Sequence, residues 1–307
     1  MSLTPQNARI LERFGLDPAD LLGEGGESLV YALGPDRILR LPKGRKPGGR
    51  ARARLKAFLD GIAGRLPFAT PEIEEIGPRE AYTIEKRLAG RPMSEFLRTA
   101  HDDARDKAFR NYVAAIDAFS GIALPNLPYG HLLANSPIIA DDWRTFAHES
   151  LVKFRAANRL TIAREIGDPY RLFDKAADMI VNLPLQPEKV LVHGDYFPGN
   201  VLLGPDLSIA AVLDFGVFTL VGDPVLDLAV AYLTLELIEE CTADDARFVR
   251  ELVIERHGEA IVPSLRFYRA YLAFSMADPA NAAPPYPRLY GWSIAMLKLL
   301  SEDRLPV

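Results

Sequence analysis

Cysteine and long apolar segments are nearly absent from this sequence. Cys241 is the one cysteine among 307 residues, which excludes an internal disulfide and suits a reducing compartment. No run approaches the roughly 18 consecutive apolar residues that a membrane-spanning helix needs, and the N-terminus lacks the basic-then-apolar pattern of an export signal. The formal net charge of -5 disfavours general binding to nucleic acid. We therefore expect a cytoplasmic protein with no membrane or nucleic-acid partner.

The composition is that of an ordinary globular protein, with 49% apolar and 25% charged residues. A chain of 307 residues is long for one compact core, so it fits one two-lobed unit or two small domains. Turn residues at Gly90 and Pro92 predict a boundary there. The resulting segments are residues 1–89 and 90–307, and no feature of the sequence indicates an oligomeric state.

The stretch 190–227 places carboxylates and an amide directly after short apolar runs, and it reads VLVHGDYFPGNVLLGPDLSIAAVLDFGVFTLVGDPVLD. One apolar run leads into His193 and Asp195, and Asn200 lies five residues after that aspartate. A later run delivers Asp214 in a D-F-G segment. We expect the apolar runs to be strands, which leaves these polar side chains in tight loops where the backbone fixes them closely.

These residue types at this spacing suit phosphoryl transfer, which needs a positioned hydroxyl, metal ions and charge neutralisation. In an H-x-D-x-x-x-x-N loop the aspartate, here Asp195, orients and deprotonates the acceptor hydroxyl. Asn200 and the D-F-G aspartate, Asp214, would bind Mg²⁺ beside the phosphates. Each motif alone is a weak signal, but both together and in this order make a strong one. The alternative is a plain β-hairpin with polar turns.

The segments HGDYFPGNVL, VLDFG and GDPVLDLA resemble the aminoglycoside phosphotransferase family, which is itself similar to choline and homoserine kinases. Gly194 after the histidine and Pro198-Gly199 before the asparagine are the form found in small-molecule kinases. The resemblance implies an α+β, protein-kinase-like fold of two lobes. The N-terminal, nucleotide-binding lobe would be a small antiparallel sheet, and the larger, mainly helical C-terminal lobe would bind the acceptor. It also implies ATP (or sometimes GTP) as donor, Mg²⁺, and a small molecule with a hydroxyl group as acceptor.

A glycine-rich turn, LGEGGES at residues 22–28, precedes a predicted strand over 29–33. Glycines let backbone amides approach phosphates closely and form an anion cradle. The order of turn and then strand is not that of a dinucleotide-binding fingerprint, which needs a strand and then a helix. By the resemblance Gly25, Gly26 and Ser28 cover the phosphates, and an ordinary hairpin turn is the alternative.

The next predicted strand, 37–43, should carry the cation that binds the phosphates. The resemblance places Arg40 at the position of the kinase lysine, with Lys43 as a fallback. No glutamate occurs between residues 28 and 72, so the predicted helix 51–62 lacks the usual carboxylate partner. Three explanations are open: another carboxylate serves, the triphosphate itself is the counter-charge, or the protein is a weak or degenerate kinase.

Two charge runs have both an ordinary and a functional interpretation. Residues 37–56 hold nine basic residues and no acidic one, which suits a solvated helix face, a rim attracting phosphate or an anionic acceptor, or a nucleic-acid surface. Few aromatic residues interleave there for base stacking, which disfavours the last. Residues 236–259 are rich in Asp and Glu, which suits a solvated helix surface or a subsite for a cationic acceptor.

The resemblance also assigns supporting roles. Lys86 and Leu88, in the linker between lobes, would present a backbone C=O and N–H to the adenine edge. Asp227 would accept backbone N–H groups from the loop that contains Asp195, or it would simply place favourable charge at a helix start. We interpret His193 as structural rather than catalytic.

The sequence therefore predicts an ATP- and Mg²⁺-dependent phosphotransferase that phosphorylates a hydroxyl of a small molecule. One alternative is a non-catalytic, nucleotide-binding pseudokinase, which the missing helical glutamate and the arginine in the lysine position would explain. Another keeps the chemistry and changes the acceptor to choline, homoserine, a sugar or a macrolide. The sequence does not identify the acceptor or distinguish ATP from GTP.

Overall fold

An antiparallel sheet of five strands forms most of the N-terminal part of the protein. The computed structural model describes residues 3–25, 28–43, 50–283 and 287–307. The strand order is β1-β2-β3-β5-β4. The strands are β1 (Leu21–Glu24), β2 (Ser28–Ala32), β3 (Arg37–Pro42), β4 (Ile73–Ile76) and β5 (Thr83–Lys86).

Helix α1 (Pro5–Phe14) packs against this sheet. It begins where the Thr4 side chain accepts a hydrogen bond from the Asn7 N–H at 3.1 Å, and it ends at Gly15, whose φ of 65° favours glycine. Its apolar face meets the inward-facing residues of the strands, since side chains alternate along a strand. This small core consists of Ile10, Leu11, Leu29, Tyr31, Leu39, Leu41, Ala81, Tyr82 and Ile84.

Helix α2 (Ala51–Ile62) starts and ends where the sequence predicted, but it packs mainly away from that small core. Its buried residues Leu59 and Ile62 belong to the much larger apolar cluster of the C-terminal part. Phe58 also lies 5.8 Å, ring to ring, from Phe215 of the D-F-G segment. The helix therefore connects the N-terminal sheet to the predicted catalytic loops.

Two small sheets follow, and they position those loops. One has the order β11-β10-β6 and the other β8-β7-β12-β9. Strands β9 and β12 are antiparallel neighbours, so the loop leaving β9 and the D-F-G loop entering β12 lie side by side. The strands are β6 (Arg91–Pro92), β7 (Tyr129–His131), β8 (Ile139–Ala140), β9 (Val190–Val192), β10 (Val201–Leu203), β11 (Ile209–Val212) and β12 (Leu220–Gly222).

Helices build the rest of the C-terminal part around the large apolar cluster. They are α3 (Met93–Leu97), α4 (Asp102–Ser120), α5 (Trp143–Glu165), α6 (Pro169–Asp178), α7 (Val225–Leu233), α8 (Ala243–His257), α9 (Val262–Ser275) and α10 (Arg288–Ser301). The predicted α+β, two-lobed kinase-like fold is confirmed. Among the helices of the described ranges, none is long and apolar enough to cross a membrane.

Helix α7 begins at Val225, directly after Pro224, and ends at Leu233 in a short 3₁₀ turn. Asp223 Oδ1 accepts the Val225 N–H at 3.1 Å at the start of this helix. Asp223 is buried, and its Oδ2 accepts the hydroxyl of Tyr268 at 2.6 Å.

Candidate active site

The loop after β9 is held by a buried carboxylate from α7. Asp227 accepts the backbone N–H of His193 through Oδ2 and that of Gly194 through Oδ1, both at 2.7 Å. Gly194 has a φ of 77°, and a Cβ there would lie 2.1 Å from the Phe218 carbonyl oxygen. No other residue fits this position without strain. Burial raises the pKa of Asp227 to about 7, although both N–H donors act in the opposite direction.

His193 is fully buried and joins this loop to the D-F-G segment. Its Nε2 lies 2.9 Å from the Leu213 carbonyl oxygen, and its Nδ1 accepts the N–H of Asp195 at 3.2 Å. These partners require the tautomer protonated on Nε2. The ring packs 4.5 Å from that of Phe215, and burial lowers the pKa of His193 to about 4. The imidazole is therefore neutral at physiological pH.

Asp195 and Asn200 contact each other directly. Asn200 Nδ2 donates to the Asp195 carbonyl oxygen at 2.9 Å and to its Oδ2 at 3.1 Å. The backbone carbonyl of Asn200 accepts the Leu213 N–H at 2.8 Å. Leu213 therefore bonds to both ends of the loop 193–200, to His193 through its carbonyl and to Asn200 through its N–H. The residue that follows it is Asp214, so the two motifs meet at this point.

Asp214 holds a left-handed backbone conformation, with a φ of 56°. Aspartate tolerates that region better than most residues, and such outliers concentrate at functional sites. Its side chain is 53% exposed, and Oδ1 lies 3.4 Å from Nη1 of Arg40. The structure thus brings the predicted phosphate-binding cation of β3 to the predicted metal ligand of the D-F-G loop.

Arg40 has the carboxylate partner that the sequence did not reveal. Its Nε donates to Glu85 Oε1 at 3.1 Å and Oε2 at 3.3 Å, and its Nη1 lies 3.3 Å from the Ser28 hydroxyl. Burial opposes the charged form, but Glu85 and Asp214 outweigh it and raise the pKa of Arg40. Of the three explanations for the missing helical glutamate, the first holds, because another carboxylate serves.

The order of strands explains why Glu85 was missed. Arg40 faces Thr83 across β3 and β5, and Glu85 lies two residues further along β5 on the same face. The sequence predicted that Lys86 belongs to the linker between the lobes, whereas β5 continues to Lys86 and so includes Glu85. The alternation of side chains over residues 81–86 places Glu85 on the face opposite to Tyr82 and Ile84, but only a known β3–β5 pairing identifies its partner.

The predicted glycine-rich turn is described only in part. The Gly25 N–H donates to the Ser28 carbonyl oxygen at 2.9 Å, which closes a turn before β2. Gly26 lies outside the described residues. Lys43, the fallback cation, pairs with Glu24 rather than with the D-F-G loop.

The predicted adenine-binding linker begins at the end of β5. The Lys86 N–H donates to the Glu72 carbonyl oxygen at 3.0 Å, and that of Arg87 donates to Asp36 at 2.7 Å. Leu88 lies two residues beyond the strand, half-buried, and its N–H has no acceptor among the described residues. That N–H is available to a ligand.

The charge runs are largely engaged within the protein. In the basic run, residues 44–49 lie outside the described residues, while Arg52 donates to Thr83 at 3.2 Å and Arg54 to Asn135 at 2.6 Å. In the acidic run, Glu236 pairs with Arg269 at 2.7 Å. Likewise Glu240 and Asp245 pair with Arg98 and Arg105. These contacts favour structural roles over an exposed cationic or anionic surface.

The donor set at the junction of the two loops fits Mg²⁺, which prefers carboxylate and other oxygen ligands. Asn200 commits Nδ2 to Asp195, so its Oδ1 is the atom that remains for a cation. The Asp214 carboxylate is half-exposed, and it follows Leu213, whose N–H donates to the Asn200 carbonyl oxygen. Within the described ranges no cluster of three or more His, Cys, Asp or Glu side chains could hold a metal, so a tighter, all-protein metal cage is not seen there.

Comparison with known proteins identifies phosphotransferases, both among family models and among solved structures. A family model described as "Phosphotransferase enzyme family" matches residues 19–271. A comparison with curated protein sequences finds no match. Among solved structures, a thermostable mutant of aminoglycoside phosphotransferase APH(4)-Ia, in ternary complex with AMP-PNP and hygromycin B, is 19% identical with a TM-score of 0.67; the match covers 98% of this chain and 99% of that one.

Two further structures are similar over nearly their full lengths. The GDP and kanamycin complex of APH(2")-IIia is 16% identical, with a TM-score of 0.61 and 92% of each chain covered. Macrolide 2'-phosphotransferase MphH from Brachybacterium faecium is 18% identical, with a TM-score of 0.56, covering 95% of this chain and 96% of that one. At such identities these structures show the fold.

Proposed function

Because the chain belongs to the phosphotransferase enzyme family, we propose that it is a small-molecule kinase that uses ATP and Mg²⁺ and phosphorylates a hydroxyl group in the cytoplasm. The observation that carries the proposal is the meeting of two loops at Leu213. The Leu213 hydrogen bonds bring the loop that carries Asp195 and Asn200 next to Asp214, whose Oδ1 lies 3.4 Å from Arg40 Nη1. Phosphoryl transfer requires this combination of a base, oxygen ligands and a cation.

Each side chain has a role in the proposed reaction. Asp195 accepts the proton of the acceptor hydroxyl and orients that oxygen towards the γ-phosphate, while Asn200 holds the Asp195 carboxylate through Nδ2. Asn200 Oδ1 and the Asp214 carboxylate would hold Mg²⁺, which when bound neutralises charge on the phosphates. His193 and Asp227 keep the loop in place without touching substrate.

The donor nucleotide is proposed to lie between the N-terminal sheet and these loops. Gly25, Gly26 and Ser28 would cover the phosphates, and Arg40 would clamp them, since a guanidinium can donate two parallel hydrogen bonds to phosphate oxygens. Lys86 C=O and Leu88 N–H would contact the adenine edge. We place the boundary between nucleotide-binding and acceptor-binding lobes near residue 90, where the chain passes from β5 to β6 and into the C-terminal sheets.

The acceptor is proposed only as a class, a small molecule with an accessible hydroxyl. The similar structures include a hygromycin B complex, a kanamycin complex and a macrolide phosphotransferase. Glu236, Glu240 and Asp245 are engaged by arginines, so the acidic run gives little support to a cationic acceptor. The pseudokinase alternative was based partly on the missing helical glutamate, and that support is weakened because Arg40 has a carboxylate partner in Glu85.

Transfer of labelled phosphate from ATP tests the proposal. The protein is incubated with Mg²⁺, γ-labelled ATP and a panel of aminoglycosides, macrolides, choline, homoserine and sugars, with EDTA as a matched control. We expect label on at least one acceptor, and none with EDTA. Binding of Mg²⁺·ATP without transfer to any acceptor and without slow ATP hydrolysis would instead support the pseudokinase. GTP in parallel reactions determines the donor preference.

A further inference from the structure

The ion pair around Arg40 uses different structural elements from the corresponding pair in kinases. In protein kinases the lysine of the third strand pairs with a glutamate on the following helix, and movement of that helix controls activity. Here the following helix, α2, carries a buried arginine, Arg52, on the same face as Leu59 and Ile62. The carboxylate comes from Glu85 on the neighbouring strand β5.

Glu85 is held by contacts that leave little freedom. Its Oε1 accepts the Thr83 hydroxyl at 2.6 Å as well as Arg40 Nε at 3.1 Å. The Thr83 oxygen in turn accepts Nη1 of Arg52 at 3.2 Å. The Glu85 side chain is 6% exposed, and burying a carboxylate is costly unless partners such as these hydrogen-bond to it. The Thr83 hydroxyl therefore links the two side chains, because it accepts from Arg52 and donates to Glu85.

This arrangement fixes which edge of the Arg40 guanidinium faces the cleft. The Nε edge is occupied by both oxygens of Glu85. Nη1 lies near Ser28 and Asp214, while Nη2 has no hydrogen-bond partner among the described residues. The terminal nitrogens are thus turned towards the glycine-rich turn and the D-F-G loop. A lysine could not do the same, since a single nitrogen cannot meet Glu85 and present two further donors in a fixed plane.

We infer that Glu85 is a positioning residue that orients Arg40 for the nucleotide phosphates, and that strand β5 has taken over the anchoring role of the kinase helix. Arg40 and Thr83 are paired directly across β3 and β5, so the orientation is set within one sheet. The position of α2 is then not required to form the ion pair. This inference rests on the proposed function, because it presumes that a nucleotide occupies the cleft.

Glu85→Gln tests the inference, because the amide keeps the shape and removes the charge. Dissociation constants for ATP, ADP and adenosine are measured by calorimetry with Mg²⁺ present, at a temperature where thermal unfolding shows the variant folded. We expect ATP and ADP to bind about 10- to 100-fold more weakly, because Arg40 loses the charged partner that orients it for the phosphates. Adenosine lacks phosphates, so its affinity should stay within about twofold, since the linker that we propose reads the base is untouched.

The matched control is Glu75→Gln, which alters a carboxylate of the same sheet that accepts the Tyr82 hydroxyl at 2.8 Å and makes no contact with Arg40. It should leave all three affinities unchanged. A double-mutant cycle adds a second test: in an Arg40→Met background, Glu85→Gln should change ATP affinity by no more than about twofold, because Glu85 would act only through Arg40. Arg52→Gln should weaken ATP binding less than Glu85→Gln.

Three results would overturn the inference and leave the proposed function standing. They are unchanged ATP affinity in Glu85→Gln, equal losses for ATP and adenosine, or a loss in Arg52→Gln as large as that in Glu85→Gln. The first result would show that Glu85 does not orient Arg40. The second would show that Glu85 only supports the structure, and the third that α2 contributes to nucleotide binding as much as β5 does. A wild-type protein that binds no Mg²⁺·ATP would remove the proposed function itself, and this inference with it.

Discussion

The two halves of the candidate site are held in different ways. The loop 193–200 is fixed by buried, short hydrogen bonds from Asp227 and Leu213, all within the same motif-bearing stretch. Arg40, opposite it, is held by ion pairs to residues 45 and 174 positions away in the sequence, and one of these partners is half-exposed. The proposed catalytic loop is therefore preformed, whereas the proposed phosphate-binding side depends on contacts between separate elements.

This difference suggests that the two halves of the site affect different properties of the protein. A buried network with every donor satisfied is rigid, and removing one member leaves a buried group unpaired. The half-exposed pair of Arg40 with Asp214 contributes little to stability and rearranges at low cost, whereas the pair with Glu85 is buried. Changes in the loop should therefore affect stability and turnover, while changes on the Arg40 side should mainly affect nucleotide binding. The predictions below test that division, beginning with the largest expected effect.

Asp195→Asn should separate catalysis from binding most clearly. The amide cannot accept the acceptor proton, so the transfer rate should fall by about 10²- to 10⁴-fold, the usual contribution of a general base. The affinity for Mg²⁺·ATP should change by less than about threefold, because nucleotide contacts lie elsewhere. Asp206→Asn, in the β10–β11 turn, is the control with normal turnover. Undiminished turnover of Asp195→Asn in the labelled-phosphate assay would refute the assigned role.

Asp214→Asn should affect binding as well as turnover, because it removes a carboxylate from the proposed Mg²⁺ ligands. We expect the benefit of Mg²⁺ for ATP affinity to shrink by about 10-fold or more, since a neutral amide is a weaker ligand for a hard cation. Calorimetric titration with ATP, with and without Mg²⁺, measures this. If the Mg²⁺ dependence stays at the wild-type level, Asp214 is not a metal ligand and the pairing of the two loops has another purpose.

The sequence predicted the loop half of this site far better than the other half. His193, Asp195, Asn200 and Asp214 could be selected from the sequence because their spacing is local and the two motifs that carry them each follow an apolar run. The role of residues such as Glu85 depends on strand order, which no local pattern encodes, because β3 pairs with β5 across more than 40 intervening residues. The family and the kinase-like fold were predicted correctly for the same reason, as both rest on the local motifs.

Asp227→Asn tests the rigidity of the loop half. An amide can accept only one of the two N–H groups at 2.7 Å and turns its own NH₂ towards the other. One buried donor is left unpaired, so the free energy of unfolding should fall by about 1–3 kcal/mol. Turnover should also fall, because Asp195 is in the same loop. Urea unfolding at pH 7 measures the first effect, and an unchanged midpoint would mean that the loop is held by other contacts.

The destabilisation by Asp227→Asn should depend on pH, because the pKa of Asp227 is about 7 in the folded protein against its ordinary value of 3.8. Between these values the folded protein holds a proton that the unfolded chain has released, so this carboxyl's contribution to stability falls as pH rises, by up to about 1.4 kcal/mol per unit. His193 acts in the opposite direction: its pKa of about 4, against 6.5, makes stability rise with pH between those values. The two contributions nearly cancel in the wild type between about pH 4 and 6.5.

Asp227→Asn removes only the contribution of the Asp227 carboxyl, which is the one that lowers stability as pH rises. Its destabilisation relative to wild type should therefore shrink as pH rises from about 4.5 to 7, by up to about 1.4 kcal/mol per unit. Unfolding curves for both proteins at several pH values in this range measure the difference. A penalty that stays constant with pH would show that Asp227 is already ionised in the folded protein, with its two N–H partners outweighing burial.

The smallest expected effect concerns α2, the element that kinases use as a switch. Arg54 of α2 donates to Asn135 at 2.6 Å, joining the helix to the segment between β7 and β8. Arg54→Ala should lower the free energy of unfolding by about 0.5–1.5 kcal/mol, the typical net worth of one hydrogen bond. Because β5 rather than α2 anchors Arg40, ATP affinity should change by less than about twofold. Asn135→Ala is the matched variant, and the double variant should add little to either single change. A tenfold loss of ATP affinity in Arg54→Ala, with little change in stability, would show that the proposed phosphate-binding side depends on α2. The contrast with the preformed loop would then need a different physical basis.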